Sequence, residues 1–152
     1  VTAAVNRIVV LDSGPLGLVS NPYLSAEASA CHQWLDGLLQ HGVRVVLPEI
    51  ADYEVRRELL RANKSPGLAR LDAFCASLEY LPITTAAIRK AASLWAQVRQ
   101  QGRPTADKHA LDGDVILAAQ ALTMGEPGVI VATTNVGHLS RFVAADGWRN
   151  IT

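Results

Sequence analysis

An α/β sandwich, with a parallel sheet between layers of helix, is the fold class this sequence predicts. Three observations predict it. Short β-branched runs recur, each apolar at nearly every residue rather than alternating, which fits strands covered on both faces. Longer stretches with helical spacing lie between those runs. Finally, 49% of the 152 residues are hydrophobic, and at this size about 68–70% of the unfolded chain's surface can be buried. A single domain over 1–152 is expected, because no repeat, low-complexity tract or interdomain linker interrupts it.

The strands are expected at Ile8-Val9-Val10-Leu11, at Val43-Arg44-Val45-Val46-Leu47 and at Val129-Ile130-Val131-Ala132. A weaker run, Glu79-Tyr80-Leu81-Pro82-Ile83, adds a strand, and a last one is placed near Trp148 to Ile151. Helical spacing covers 26–39, 50–62, 67–78, 85–101 and 114–123, with Pro48 suited to a helix start. Ser65-Pro66-Gly67 and Gln101-Gly102-Arg103-Pro104 read as breaks. Cys31 and Cys75 fall in helical, apolar patterns outside any CxxC pair, and no histidine stands near another ligand at zinc spacing. Both thiols are therefore expected to be buried in a cytoplasmic protein.

Composition narrows function as well. The hydrophobic content excludes disorder, and no run of about 18 uncharged apolar residues exists to span a membrane. Val1 to Arg7 lacks the basic start, apolar block and small-residue cleavage site of a signal peptide. Fourteen basic and fourteen acidic residues cancel, which leaves only a local basic patch for nucleic acid.

In open parallel sheets, ligands bind outside the carboxyl ends of the strands. Asp12 follows the first strand directly; it caps the next helix, as Ser13 also could, pairs with a cation, or is solvated by a cleft. Glu54 falls angularly between Ile50 and Ala51 beside Val55, so it borders an apolar helix face and needs Arg57 or a bound cation as partner. Asp107, Asp112 and Asp114 cluster before a nearly all-apolar helix. Asp112 is explained as its N-cap, whereas Asp114 is the one charge on the surface that runs on to Met124. Asn135, after the third strand, suits a turn or cap and could also bind water or phosphate through its amide. Three carboxylates and an amide that one cleft could share invite a hard divalent cation, Mg²⁺ or Mn²⁺. In-line attack of water on a phosphodiester is the reaction such a site serves best.

The succession Leu11-Asp12-Ser13, Glu54 in a helix after a strand, Asp114-Val115-Ile116-Leu117-Ala118-Ala119-Gln120-Ala121 and Thr133-Thr134-Asn135 resembles the PIN-domain ribonucleases. Within them it is most similar to the VapC-type toxins of bacterial toxin–antitoxin pairs, from about Ile8 to Phe142. The resemblance implies a three-layer α/β/α sandwich around a mostly parallel sheet of four or five strands. It implies an acidic triad of Asp12, Glu54 and Asp114 holding Mg²⁺ or Mn²⁺, with Ser13 and Thr133 orienting the carboxylates. The family often has a fourth acid where this chain has Asn135, which becomes a substrate or water ligand, while Asp112 supplies part of the missing charge. An RNA substrate, a VapB-like antitoxin and a homodimer are implied too.

Arg56, Arg57, Arg61, Lys64 and Arg70 form the densest basic stretch, and Arg57 and Arg61 are the candidates for phosphate contact; helix-surface ion pairs explain the same residues. Leu16, Leu18, Val19, Tyr23 and Leu24 either form a patch for a partner's helix or belong to the core. The principal alternative is a PIN-like binding module with weakened or lost catalysis, for which Asn135 is the support.

Overall fold

The computed structural model describes residues 7–102 and 108–152. Its elements run β1 (Ile8–Leu11), α1 (Ser13–Ser20), α2 (Ala26–Gln40), β2 (Arg44–Pro48), α3 (Glu49–Arg61), α4 (Ser65–Ser77) and β3 (Glu79–Leu81). They continue with α5 (Thr85–Gln100), α6 (Lys108–Leu122), β4 (Val129–Thr133), α7 (Val136–Leu139) and β5 (Ala145–Gly147), closing on a 3₁₀ turn at Trp148–Asn150. Five parallel strands are ordered β3-β2-β1-β4-β5, so β1 is central and the strand order reverses beside it.

The apolar runs are continuous because alternate side chains enter different layers. Val9, Leu11, Val45, Leu47 and Ala132 pack with Leu16 and Val19 of α1, Cys31 and Leu35 of α2, and Leu71 of α4. Ile8, Val10, Val46 and Val131 pack on the other face with Ile50, Leu117, Ala121 and Leu139. Helix α5 lies outside α6, contributing Ala87, Ala91, Leu94 and Val98 at four-, three- and four-residue steps, one stripe of a helix. This is the three-layer α/β/α arrangement with a five-stranded, all-parallel sheet. Among the described residues no helix is long and apolar enough to cross a membrane.

Three elements depart from expectation. Ser13–Ser20 is helical, because Asp12 Oδ1 accepts a hydrogen bond from Ser13 N at 2.7 Å and caps it. The last strand is Ala145–Gly147, and Trp148 belongs to the turn after it, where its ring packs 5.6 Å from that of Trp34. Ala-Asp-Gly has no β-branched residue to announce a strand. Helix α6 starts at Lys108 rather than 114, so Asp112 lies inside the helix and cannot be its N-cap. The helix runs through Gly113 because Leu111, Val115 and Ala118 continue one stripe against α5. Of the thiols, Cys31 is buried as expected, whereas Cys75 is only half-buried.

A buried amide locks the two helices that flank the sheet's carboxyl edge. Gln120, 1% exposed on α6, accepts from Ile50 N at 3.2 Å and donates to Leu81 O at 2.9 Å. Pro48 caps α3 without a side-chain bond, so Gln120 satisfies one of that helix's free amides. Gln120→Leu leaves a buried donor and a buried acceptor unpaired at about 1–3 kcal/mol each. Urea unfolding is therefore expected to show a loss of about 2–4 kcal/mol, and a loss below about half a kcal/mol would show that the clamp is dispensable.

Candidate functional site

The carboxyl ends of β1 and β4 are neighbours in the sheet, and the site is built on the residues at and just beyond those two ends. Asp12 stands at the end of β1 with both oxygens occupied. Oδ1 accepts from Ser13 N, and from Ser13 Oγ at 3.4 Å, while Oδ2 accepts from Thr133 Oγ1 at 2.7 Å. Thr133 is fully buried at the end of β4, and its hydroxyl also accepts from Asn135 N at 2.8 Å. One hydroxyl thus orients the carboxylate and shapes the next turn. Gly14 lets the start of α1 approach the loop after β4, since a Cβ there would lie 2.5 Å from Thr134 Oγ1.

Glu54 reaches the same place from α3. Ile50, Ala51 and Val55 bury their side of that helix and leave Glu54 half-buried at its border. Its carboxylate rests on Gly113 of α6, where a Cβ would stand 3.1 Å from Oε2. Glycine inside a helix costs about 0.5–1 kcal/mol relative to alanine, and here it makes room for that carboxylate. Burial pushes the Glu54 carboxyl up to about 7, and the charge of Asp12 pushes the same way. Arg57 opposes this, with Asp114 adding a smaller upward push. Arg57 Nη2 is 3.9 Å from Oε2 and its guanidinium stacks over Tyr53, 5.1 Å from the ring centre, so the ion pair is loose.

Asp114 completes the group from α6. Burial raises its carboxyl, His138 and Arg141 act to lower it, and Asp12 acts to raise it. His138 Nδ1 lies 3.5 Å from Asp114 Oδ2. Sequence reasoning missed His138; the three-residue spacing from Asn135 was the available signal, because residues three apart share a helix face. Asn135 is exposed at the start of α7, makes no side-chain cap bond, and places Nδ2 3.1 Å from His138 Nδ1.

Asp12, Ser13, Glu54, Asp114, Thr133 and Asn135 are therefore brought to one edge. Asp112 is not. It lies roughly 200° around α6 from Asp114, exposed in a groove with Ile88, Ala91 and Trp95 of α5. Asp107 lies outside the described residues. Arg57, Arg61 and Lys64 rim a cleft of about 520 Å³ that continues from Glu54 over Ser13, Gly17 and Leu59. Arg61 also pairs with Glu58 at 2.9 Å. Arg56 faces away, bound to Asp52 at 2.9 Å and Asp72 at 2.8 Å, and Arg70 lines a separate hollow with Leu24 and His32. Leu16 and Val19 are core, whereas Tyr23 and Leu24 are 76% and 59% exposed.

Among the described residues, no three His, Cys, Asp or Glu side chains converge closely enough to hold an ion as they stand. The chemistry of the set nevertheless fits a hard cation: Asp12 raises the cost of ionising both Glu54 and Asp114, Asp114 adds to that of Glu54, and Arg57 stands 3.9 Å from the Glu54 carboxylate. Gly113 leaves the room that the Glu54 carboxylate occupies.

No protein-family model matches the chain, and no curated protein does. Solved structures do match, and they define the class as the PIN-like three-layer α/β/α fold. VapBC2 from Rickettsia felis, bound to a promoter DNA fragment, aligns over 93% of this chain and 99% of its own at a TM-score of 0.72 and 16% identity. FitAcB from Neisseria gonorrhoeae aligns over 94% and 99%, with TM-score 0.67 and 19% identity. VapBC-5 from Mycobacterium tuberculosis, a member of the VapBC family of toxin–antitoxin systems, aligns over 92% and 96% at 0.55 and 22%. The fold is thus that of chains found in VapBC complexes.

Because the carboxyls of Glu54 and Asp114 are raised, the metal-free fold binds protons more tightly than the unfolded chain. Glu54's contribution to stability is fully present below the ordinary carboxylate range and is lost as pH rises through about 7. Glu54→Gln removes this dependence. In thermal melts without added metal, the variant is expected to lose less of its Tm between about pH 5 and about pH 8 than the native protein does. Parallel pH profiles would show that the Glu54 carboxyl is not raised in the folded chain.

Proposed function

We propose that the chain is a Mg²⁺- or Mn²⁺-dependent endoribonuclease, a VapC-like toxin acting in the cytoplasm as a homodimer and silenced by a VapB-like antitoxin. One observation carries this reading: the carboxylates of Asp12 after β1, Glu54 on α3 and Asp114 on α6 lie near enough to oppose ionisation among themselves, at the edge where the strand order reverses and in a fold shared with chains of VapBC complexes. Asp12, Glu54 and Asp114 would hold the ion. When bound, it supplies an activated water and stabilises the leaving oxygen of an RNA phosphodiester.

The chain's own residues do the rest. Ser13 N and Thr133 Oγ1 hold both oxygens of Asp12, so its orientation is set before any ligand arrives. Helices α3 and α6 exclude water from one side of Glu54 and Asp114, which strengthens their pull on a cation. The exposed Asn135 amide is available to a water or a phosphate oxygen. Arg57 and Arg61, with Lys64 beyond them, follow one face of α3 and can position an RNA backbone without reading its bases. Exposed Tyr23 and Leu24, rather than the buried Leu16 and Val19, are the part of the apolar segment open to a partner.

Cleavage of single-stranded RNA should require Mg²⁺ or Mn²⁺ and stop on chelation. Asp12→Asn and Asp114→Asn should each lower the rate by about 100-fold or more while far-UV circular dichroism stays unchanged. Cleavage that survives chelation, or full activity in either variant, would reject the assignment; failure of the native chain to cleave while still binding metal would favour the binding module. Thr133→Val, which frees Asp12 Oδ2, should weaken Mn²⁺ binding by about 10–100-fold, measured by calorimetry. An unchanged affinity would mean that the hydroxyl does not orient the ligand.

A further inference from the structure

Asn135 leaves this site with one negative charge fewer than the resemblance leads one to expect, and the nearest ionisable group on the same turn is an imidazole. His138 Nδ1 is 3.5 Å from Asp114 Oδ2 and 3.1 Å from Asn135 Nδ2. Two donors on one first-row divalent ion, each bonded at about 2.1 Å, stand roughly 3–3.5 Å apart. The Nδ1–Oδ2 pair therefore already spans the gap that a single ion bridges. In the tautomer with its proton on Nε2, Nδ1 accepts from Asn135 Nδ2, and Nδ1 and Asp114 Oδ2 are then two acceptors 3.5 Å apart, which a cation can join by taking the place of the amide hydrogen. Arg141 Nε donates to His138 O at 3.0 Å, which restrains the turn that carries the ring.

We propose that His138 is a nitrogen ligand in the place of the missing fourth carboxylate, and that it turns the site from Mg²⁺ toward Mn²⁺ and the later first-row divalent ions. The inference rests on Asp12, Glu54 and Asp114 being the oxygen ligands. Mg²⁺ takes oxygen donors and dehydrates reluctantly, so a neutral imidazole contributes little to holding it. Imidazole suits the later transition ions, whose affinity for nitrogen rises along the row. A ring that merely pairs with Asp114 would instead affect Mg²⁺ and Mn²⁺ alike.

Pulsed electron paramagnetic resonance of the Mn²⁺-loaded native protein should show hyperfine coupling to a directly bound imidazole nitrogen, and that coupling should vanish in His138→Gln. Competition titrations should show the Mn²⁺-over-Mg²⁺ affinity ratio falling on the order of tenfold in His138→Asp, which restores an oxygen donor. His138 is partly exposed, so both variants should keep the fold. Nitrogen coupling that is absent from Mn²⁺-loaded native protein, or that persists in His138→Gln, overturns the proposal, as does an unchanged ratio in His138→Asp. If Mn²⁺ binds without nitrogen coupling and is lost in Asp114→Asn, His138 alone is rejected and the oxygen site stands. Native protein that takes up no Mn²⁺ rejects both.

Discussion

Three carboxylates that repel one another are held at one edge of a buried sheet, and the rest of the structure is arranged so that they stay there. Asp12 and Asp114 both make ionisation of Glu54 harder, and Asp12 does the same to Asp114. The basic side chains within reach are off to the sides: Arg57 is loosely paired and half given over to Tyr53, and the His138 ring reaches Asp114 alone of the three. Burial amplifies the repulsion because water cannot screen it. An arrangement of this kind lowers stability unless a cation joins it.

What resists the repulsion is largely uncharged. Thr133 and Ser13 fix Asp12 through hydrogen bonds that leave the site's charge unaltered. Gln120 ties α6 to the start of α3 and to the end of β3, which sets the two helices carrying Asp114 and Glu54 at a constant separation. Gly14 and Gly113 are the points of closest approach, one between α1 and the loop after β4, the other between α6 and the Glu54 side chain. The central strand, entirely buried and paired on both sides, anchors all of this.

Much of the fold could be read from the sequence because buried parallel strands and amphipathic helices leave opposite signatures. Ile8–Leu11 and Val129–Thr133 announced themselves by unbroken apolar runs, and α5 by its regular stripe. What escaped was local. Helix α1 depends on a cap by Asp12 that competes with reading the same Asp as chemistry, and Ser13–Ser20 contains two glycines and a proline that argue against helix. The start of α6 is read too late, after Gly113, because the contact that explains a glycine there, the Glu54 carboxylate, lies far away along the chain. Misplacing that boundary made Asp112 a cap and a neighbour of Asp114, when a helix turns the two to different sides. Asp12, Glu54 and Asp114 stand out in the sequence because a charge beside apolar residues is conspicuous; His138 does not, since a lone histidine in a polar turn carries no such contrast.

A cation that relieves the repulsion among Asp12, Glu54 and Asp114 is the centre of this picture. Calorimetry of Mn²⁺ binding in buffers of different ionisation enthalpy measures that relief directly, because ions that displace protons from raised carboxyls transfer them to the buffer. Near pH 6, below the value of about 7 to which Glu54 is raised, binding should release up to about one proton from it, declining toward none at about pH 8.5. Binding heats that are identical in every buffer near pH 6, or the absence of any binding, would contradict it.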